Sequence, residues 1–222
     1  MNQRHGDEFA IVDSISEIDP TCDALITSTP GLAVAVLVAD CIPLLLTSPS
    51  VVALFDHEEV GSSSATGAAG PLLEHVLERL CIHEDLSRQD FINILGKSHC
   101  VSADNAHAVH HNYPERHDIN HSPLINQGVV IKSNVGQRYA TSATSIAPFI
   151  DACANANVPI QHFASRNNIT CGSTIGPITA TRLGIDTIDV GIPQLSMHSA
   201  REVCGSQDPI YLRDALVAYL AR

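Results

Sequence analysis

Basic side chains are scarce in this chain. Twelve Lys and Arg stand against 24 Asp and Glu in 222 residues, a formal net charge of −12. Phosphate backbones are held by clustered Lys and Arg, so nucleic acid is excluded as the expected partner. No run of eighteen apolar residues occurs. The longest candidate, Leu32 to Leu46, is broken by Asp40, Cys41 and Pro43, so no membrane partner is expected. The start of the chain lacks the apolar core of a signal peptide, and no C-x-x-C pair occurs among Cys22, Cys41, Cys81, Cys100, Cys153, Cys171 and Cys204. An odd, scattered set of this kind argues against a disulfide framework and a zinc ribbon; it predicts reduced core thiols in a cytoplasmic protein. Internal repeats and low-complexity tracts are also missing.

A hydrophobic content of 45% describes a globular chain, long enough for one substantial α/β domain or two small ones. Composition shifts near residue 50. The first 50 residues carry seven acids (Asp7, Glu8, Asp13, Glu17, Asp19, Asp23 and Asp40) against the single Arg4. They predict short strands at Phe9 to Val12, Ala33 to Val38 and Ile42 to Leu46. Beyond them the pattern alternates: strand Val51 to Phe55, helices near Pro71 to Leu80 and Leu86 to Leu95, strand Cys100 to Ala103, a long loop through Pro123, and strand Val129 to Ser133. A helix at Ser142 to Ala156, strands at Ile160 to Phe163 and Thr187 to Val190, and a helix near Pro209 to Ala221 complete it. Alternation of this kind predicts an α/β fold whose mostly parallel sheet is covered by helices on both faces, with ligands gathering at the carboxyl ends of strands.

The polar motifs fall at such ends. Asp56-His57-Glu58-Glu59 follows the apolar Val51 to Phe55 and runs into Val60-Gly61-Ser62-Ser63-Ser64. Adjacent carboxylates repel unless a cation or a proton offsets them. A metal-dependent hydrolase uses one such carboxylate on the ion and the other as a base, although an isolated acid pair is more often a solvated turn. Asp104 lies just past a strand with His107 three residues on, and His198 sits where a loop is expected to enter a helix. Glu59, Asp104 and His198 make a mixed oxygen and nitrogen set suited to zinc. Eleven of the 12 histidines follow residue 50, and most of these are expected to cap loops or to bond carbonyls rather than to bind metal.

Several ordered motifs carry a resemblance: Phe55-Asp56-His57-Glu58-Glu59-Val60-Gly61-Ser62, Ser102-Ala103-Asp104-Asn105-Ala106-His107-Ala108-Val109-His110, Asn112-Tyr113-Pro114-Glu115, Gln137-Arg138-Tyr139-Ala140-Thr141, Cys171-Gly172-Ser173-Thr174-Ile175-Gly176-Pro177-Ile178 and Asp189-Val190-Gly191-Ile192-Pro193-Gln194-Leu195-Ser196-Met197-His198-Ser199. From about Val51 to Leu220 the chain closely resembles the aspartyl aminopeptidases, cytoplasmic zinc exopeptidases that remove N-terminal Asp or Glu from peptides and form large homo-oligomers. The resemblance implies Glu58 as general base, Glu59, Asp104 and His198 as Zn2+ ligands, and His107, Lys132 and Tyr139 at substrate-contacting positions. Lys132 is then expected to pair with the acidic side chain of the substrate.

In that family the site holds two zinc ions and also uses an upstream histidine and a bridging aspartate, for which this chain shows no counterpart. One zinc or none is then expected here, within a truncated sheet. Residues 1–50 instead resemble part of the laccase-domain proteins, through Gln3-Arg4-His5-Gly6, Cys22 to Leu32 and Ala33 to Pro43. That resemblance suggests a residual site of His5, Cys41 and His57. The expected organisation is therefore a laccase-domain-like fragment at 1–50 and a metallo-aminopeptidase catalytic segment at 51–222. The rival reading is a non-catalytic pseudo-enzyme or oligomer subunit, and a nucleoside-acting laccase-domain enzyme comes third.

Overall fold

The computed structural model describes residues 9–11, 24–26 and 50–221. The chain divides into two compact units, Met1–Val52 and Ala53–Arg222. In the first, strands β1 (Phe9–Ile11) and β2 (Ala24–Ile26) pair in parallel, Phe9 opposite Ala24. The strands expected at Ala33 to Val38 and Ile42 to Leu46 lie outside the described residues, as do His5 and Cys41.

The second unit begins with a single 3-10 turn, Glu58–Val60, and helices α1 (Leu72–His83) and α2 (Arg88–Leu95). Helix α2 starts at Ser87, whose Oγ accepts from the Asp90 amide at 3.2 Å while the Asp90 carboxylate accepts from the Ser87 amide at 2.9 Å. Two of its orphan amides are thereby satisfied. Strands β3 (His99–Ala103), β4 (Ala106–His107) and β5 (Val129–Lys132) follow, then α3 (Ala143–Asn155), β6 (Ile160–Phe163), α4 (Ile175–Leu183), β7 (Asp186–Gly191), β8 (Pro193–Leu195), β9 (Val203–Cys204) and α5 (Asp208–Leu220).

The main sheet has the order β3-β7-β5-β6. Val129, Val130 and Ile131 in β5 and Ile188 and Val190 in β7 are fully buried. The run in β5 is the continuous apolar stretch expected of a strand covered on both faces, and each such side chain contributes about 1.5–3 kcal/mol by leaving water. Helices α3 and α5 pack on each other and on β7 and β5 respectively, while α4 packs on β7 and β3. A smaller sheet, β4-β8-β9, continues from the ends of β3 and β7. The amides of Asp104, Ala106 and Ala108 donate in turn to the carbonyls of Val190, Ile192 and Gln194.

The α/β class and α1, α2, β3, β5, α3, β6, β7 and α5 agree with the sequence reading, which does not include the small sheet β4-β8-β9; four further points differ. The sheet is mixed: β3–β7 and β5–β6 are parallel, but β5 and β7 run antiparallel, Val130 opposite Gly191. A long loop rather than a helical crossover leads into β5, so nothing obliges a parallel return. Val51 to Phe55 is not a strand, because no neighbouring strand pairs with it among the described residues and Val51 and Leu54 stand 51% and 53% exposed. Strand propensity expresses fit to a partner, and here no ladder receives it. Helix α4 falls in a stretch to which the sequence analysis assigns no element, and it carries Gly176-Pro177 in its first turn. Proline is tolerated in a first turn, whose amides lack intrahelical partners anyway. Finally, His198 does not enter a helix; its loop leads to β9.

Candidate functional site

The turn carrying the acid pair is folded by local hydrogen bonds. Ser62 N donates to the His57 carbonyl at 2.8 Å and Gly61 N to that of Glu58 at 3.0 Å, with positive φ at His57, Gly61 and Ser62. His57 Nδ1 lies 2.8 Å from Ser64 Oγ, so this ring braces the turn. Glu58 is half-buried and Glu59 exposed.

Asp104 is the first residue past β3, and β7 must pass beside it. A Cβ at Gly191 would overlap the Asp104 carbonyl, so the absent side chain lets the two backbones approach. Lys132, at the end of β5, is only 1% exposed. Since β7 lies between β3 and β5, its side chain spans that strand. Its Nζ donates to Asp104 Oδ2 at 3.0 Å, to the Asp104 carbonyl at 3.0 Å and to the Asn105 carbonyl at 3.3 Å. An ammonium has three N–H groups, and these three acceptors use all of them. The expected pairing of Lys132 with a substrate carboxylate therefore finds the lysine engaged within the site.

Tyr139 is buried beneath Lys132, with Nζ 5.2 Å from its ring centroid, and meets Phe163 edge-on at 6.1 Å. Burial and the neighbouring Cys171 push its phenol well above the ordinary range. His107, in β4, lies 6.5 Å from Phe163. Its carbonyl accepts from His117 Nε2 at 3.2 Å, and His117 Nδ1, buried, has no hydrogen-bond partner among the described residues. Desolvation, then His117, His198 and Lys132, push the His107 imidazole down, with Asp104 opposing. Beside it Asn105 Nδ2 donates to Gln194 Oε1 at 2.8 Å.

His198 has a φ of 64° and a backbone amide bonded to the Glu202 carboxylate. Its Nε2 lies 2.8 Å from Glu59 Oε2, both side chains being more than half exposed. Glu58 is held above the ordinary carboxylate range, first by burial, then by Asp104 and Glu59, with Lys132 and His198 opposing. Glu58, Glu59, Asp104, His107, Lys132, Tyr139 and His198 thus share one neighbourhood although they come from five separate stretches of chain.

Zinc takes mixed oxygen and nitrogen donors. Among the described residues no three of His, Cys, Asp and Glu are placed to hold one ion. Glu59 and His198 are in contact and offer two such donors, and three neighbouring carboxylates leave a charge that a cation offsets. These two residues fit the ion. Asp104 is bonded to Lys132 through Oδ2, which leaves Oδ1 as its remaining donor. Sequence reasoning missed Asp189, His117 and the Asn105–Gln194 pair. Asp189 lay in a quoted motif, but only its burial distinguishes it.

Comparison with known proteins gives a consistent result. The family model described as aminopeptidase I zinc metalloprotease (M18) matches residues 46–220. A probable M18 family aminopeptidase 2 of Streptomyces coelicolor is 50% identical over 201 residues, covering 90% of this chain and 46% of that protein. A match of 201 residues is longer than everything that follows Ser50, so the similarity reaches into the stretch compared above with laccase-domain proteins. Among solved structures, one titled as the complex of Ape4 and Nbr1 is 45% identical with a TM-score of 0.71, covering 75% of this chain and 31% of that one. The S. cerevisiae mApe1 dodecamer is 32% identical with a TM-score of 0.66, covering 76% and 37%. The chain spans about half the length of the curated relatives it matches. The resemblance of residues 51–220 is borne out: the chain belongs to the M18 aminopeptidase I zinc metalloprotease family.

Proposed function

We propose that this chain carries the catalytic segment of a zinc-dependent aminopeptidase acting on peptides with N-terminal Asp or Glu. The observation that carries the reading is the half-buried Glu58 held above the ordinary carboxylate range beside the Glu59–His198 pair. A base raised in this way sits nearer the pH at which it must accept a proton. Glu59 and His198 would hold the ion, which when bound supplies a Lewis acid for water and carbonyl oxygen. Glu58 takes the proton from the attacking water and returns it to the leaving amine. Lys132 holds Asp104 in place, and Tyr139 with Phe163 walls the site. With Lys132 engaged, His107, whose imidazole is pushed toward the neutral form, is the hydrogen-bond donor that supports acidic specificity. Release of chromogen from Asp- and Glu-substrates, compared with Ala- and Lys-substrates, tests this reading. It requires that chelator abolish turnover, that Glu58→Gln lower it by at least about 100-fold, and that His107→Ala erase the acidic preference. Turnover that survives Glu58→Gln would overturn the mechanism.

One observation favours a second reading, a non-catalytic subunit: no three donors converge among the described residues. Zinc content below about one equivalent per purified chain would favour it. A homo-oligomer is part of the proposal, supported by the dodecamer of the S. cerevisiae relative and testable by light scattering. So is a reducing, cytoplasmic setting, which the free thiols Cys81, Cys100, Cys153, Cys171 and Cys204 support.

A further inference from the structure

We propose that Asp189 is a positioning residue of this site: its buried carboxylate ties two loops together and thereby sets Tyr139, and through it Lys132 and Asp104. The inference rests on reading those residues as the site. Asp189 lies in β7 and is 0% exposed. Its Oδ2 accepts from the Ala140 amide at 2.6 Å and its Oδ1 from Thr174 Oγ1 at 2.6 Å. Its own amide donates to Thr141 Oγ1 at 2.9 Å. One residue thus grips the segment after β5 at two points and the segment before α4 at a third.

Helix α4 is built around this carboxylate. A Cβ at Gly176, in the first turn, would overlap both Asp189 oxygens, and the amino end of a helix is where a negative charge is favoured. Ser173 Oγ adds a second tie between the same two segments, donating to the Arg138 carbonyl at 3.2 Å.

Both segments end at the site. Ala140 directly follows Tyr139, whose ring packs in one cluster with Ala106, Val130 and Phe163, against Cys171. That ring lies beneath the Lys132 ammonium, which in turn bonds Asp104. A displaced Ala140 amide therefore moves the floor under the one buried ammonium of the site. No cation lies within ion-pair distance of Asp189 among the described residues. Burying a carboxylate with only N–H and O–H donors is costly, and here its donors come from the two loops whose geometry the site needs.

The test uses the full chain with 13C-labelled tyrosine rings. Of the four tyrosines, Tyr219 packs on Phe149 in α3 and Tyr113 on His110, so both report on regions outside the proposed path. Asp189→Asn keeps the volume and removes one acceptor; Thr174→Val removes the hydroxyl bond to Asp189 Oδ1 alone. In both variants the Tyr139 ring signals are expected to shift while those of Tyr113 and Tyr219 stay. Where turnover is measured, it is expected to fall about tenfold to 100-fold, as for a sub-ångström to ångström displacement at a reacting centre. An unmoved Tyr139 signal, or equal movement of all the rings, overturns the proposal. If Asp189→Asn fails to fold, Thr174→Val decides by the same criterion. A parent chain without peptidase turnover would refute the proposed function and leave the ring signals to judge Asp189 by themselves.

Discussion

Replacing Lys132 by Met separates two roles that one lysine cannot fill together. In the structure its three N–H groups end on Asp104 Oδ2 and on the carbonyls of Asp104 and Asn105. Met is close in length and fits against the Tyr139 ring, but it orphans the two carbonyls. Each orphaned acceptor costs about 1–3 kcal/mol, with the longer Asn105 bond at the low end. The Asp104 side chain is 43% exposed and rehydrates when its partner leaves, so its ion pair adds only about 0–1 kcal/mol. Against these losses stands the relief of a desolvated ammonium, which keeps the total below the about 3–5 kcal/mol seen when a fully buried pair is broken. The balance is a destabilisation of about 2–3 kcal/mol. Urea unfolding followed by far-UV circular dichroism measures it, and the loss should depend little on salt because the pair is shielded on the lysine side. If the Lys132→Met chain unfolds at the parent midpoint yet loses acidic-substrate preference, the ammonium is free for substrate and the reasoning fails.

Three further outcomes follow from the same geometry. Burial raises the Asp208 carboxyl above its ordinary value of 3.8, only partly offset by N–H bonds from Asn126, Gly205 and Gly128. The fold therefore prefers the protonated form, and this contribution is present below pH 3.8 and lost as pH rises through the folded-state value. Asp208→Asn, neutral throughout, should flatten that fall, which urea midpoints in steps upward from pH 3.8 would show; an unchanged slope counts against it. Gly191→Ala drives a methyl into the Asp104 carbonyl and should cost at least about 1–3 kcal/mol together with turnover, whereas full stability would mean the strands do not pass so closely. Leu54→Lys at the uncovered segment should lower self-association in light scattering and leave the unfolding midpoint within about 0.5 kcal/mol of the parent.

Elements whose stability is written in local pattern were legible from sequence. Helix α3 shows a Ser142 cap and an apolar face on Phe149, Ala152 and Cys153; β5 shows a short apolar run, Val129 to Ile131, between Gly128 and Ser133. Those that depend on a distant partner were not. Val51 to Phe55 has the composition of a buried strand, but a strand exists only where another backbone pairs with it. Helix α4 carries Gly176-Pro177 in its first turn, and the reason for that glycine is a carboxylate thirteen residues away in sequence, held in contact by the fold.

The site divides along the same line. The chemical type of Glu58, Glu59, Asp104 and His198 could be read from their motifs, because each motif is a short stretch with its own shape. What each side chain spends its bonds on could not, because those bonds cross the sheet. Lys132 is the sharpest case: alone it is a cation at a strand end, ready for any acid, yet across the intervening strand its Nζ reaches Asp104. Once it does, Asp104 is neutralised from within, and the charge left for a cation falls on Glu58 and Glu59. The repulsion within that pair is met on one side by His198 and on the other by a raised Glu58. On the proposed function, the arrangement that raises Glu58 for its role as base also leaves Glu59 and His198, in contact with each other, as the side chains that would take the ion.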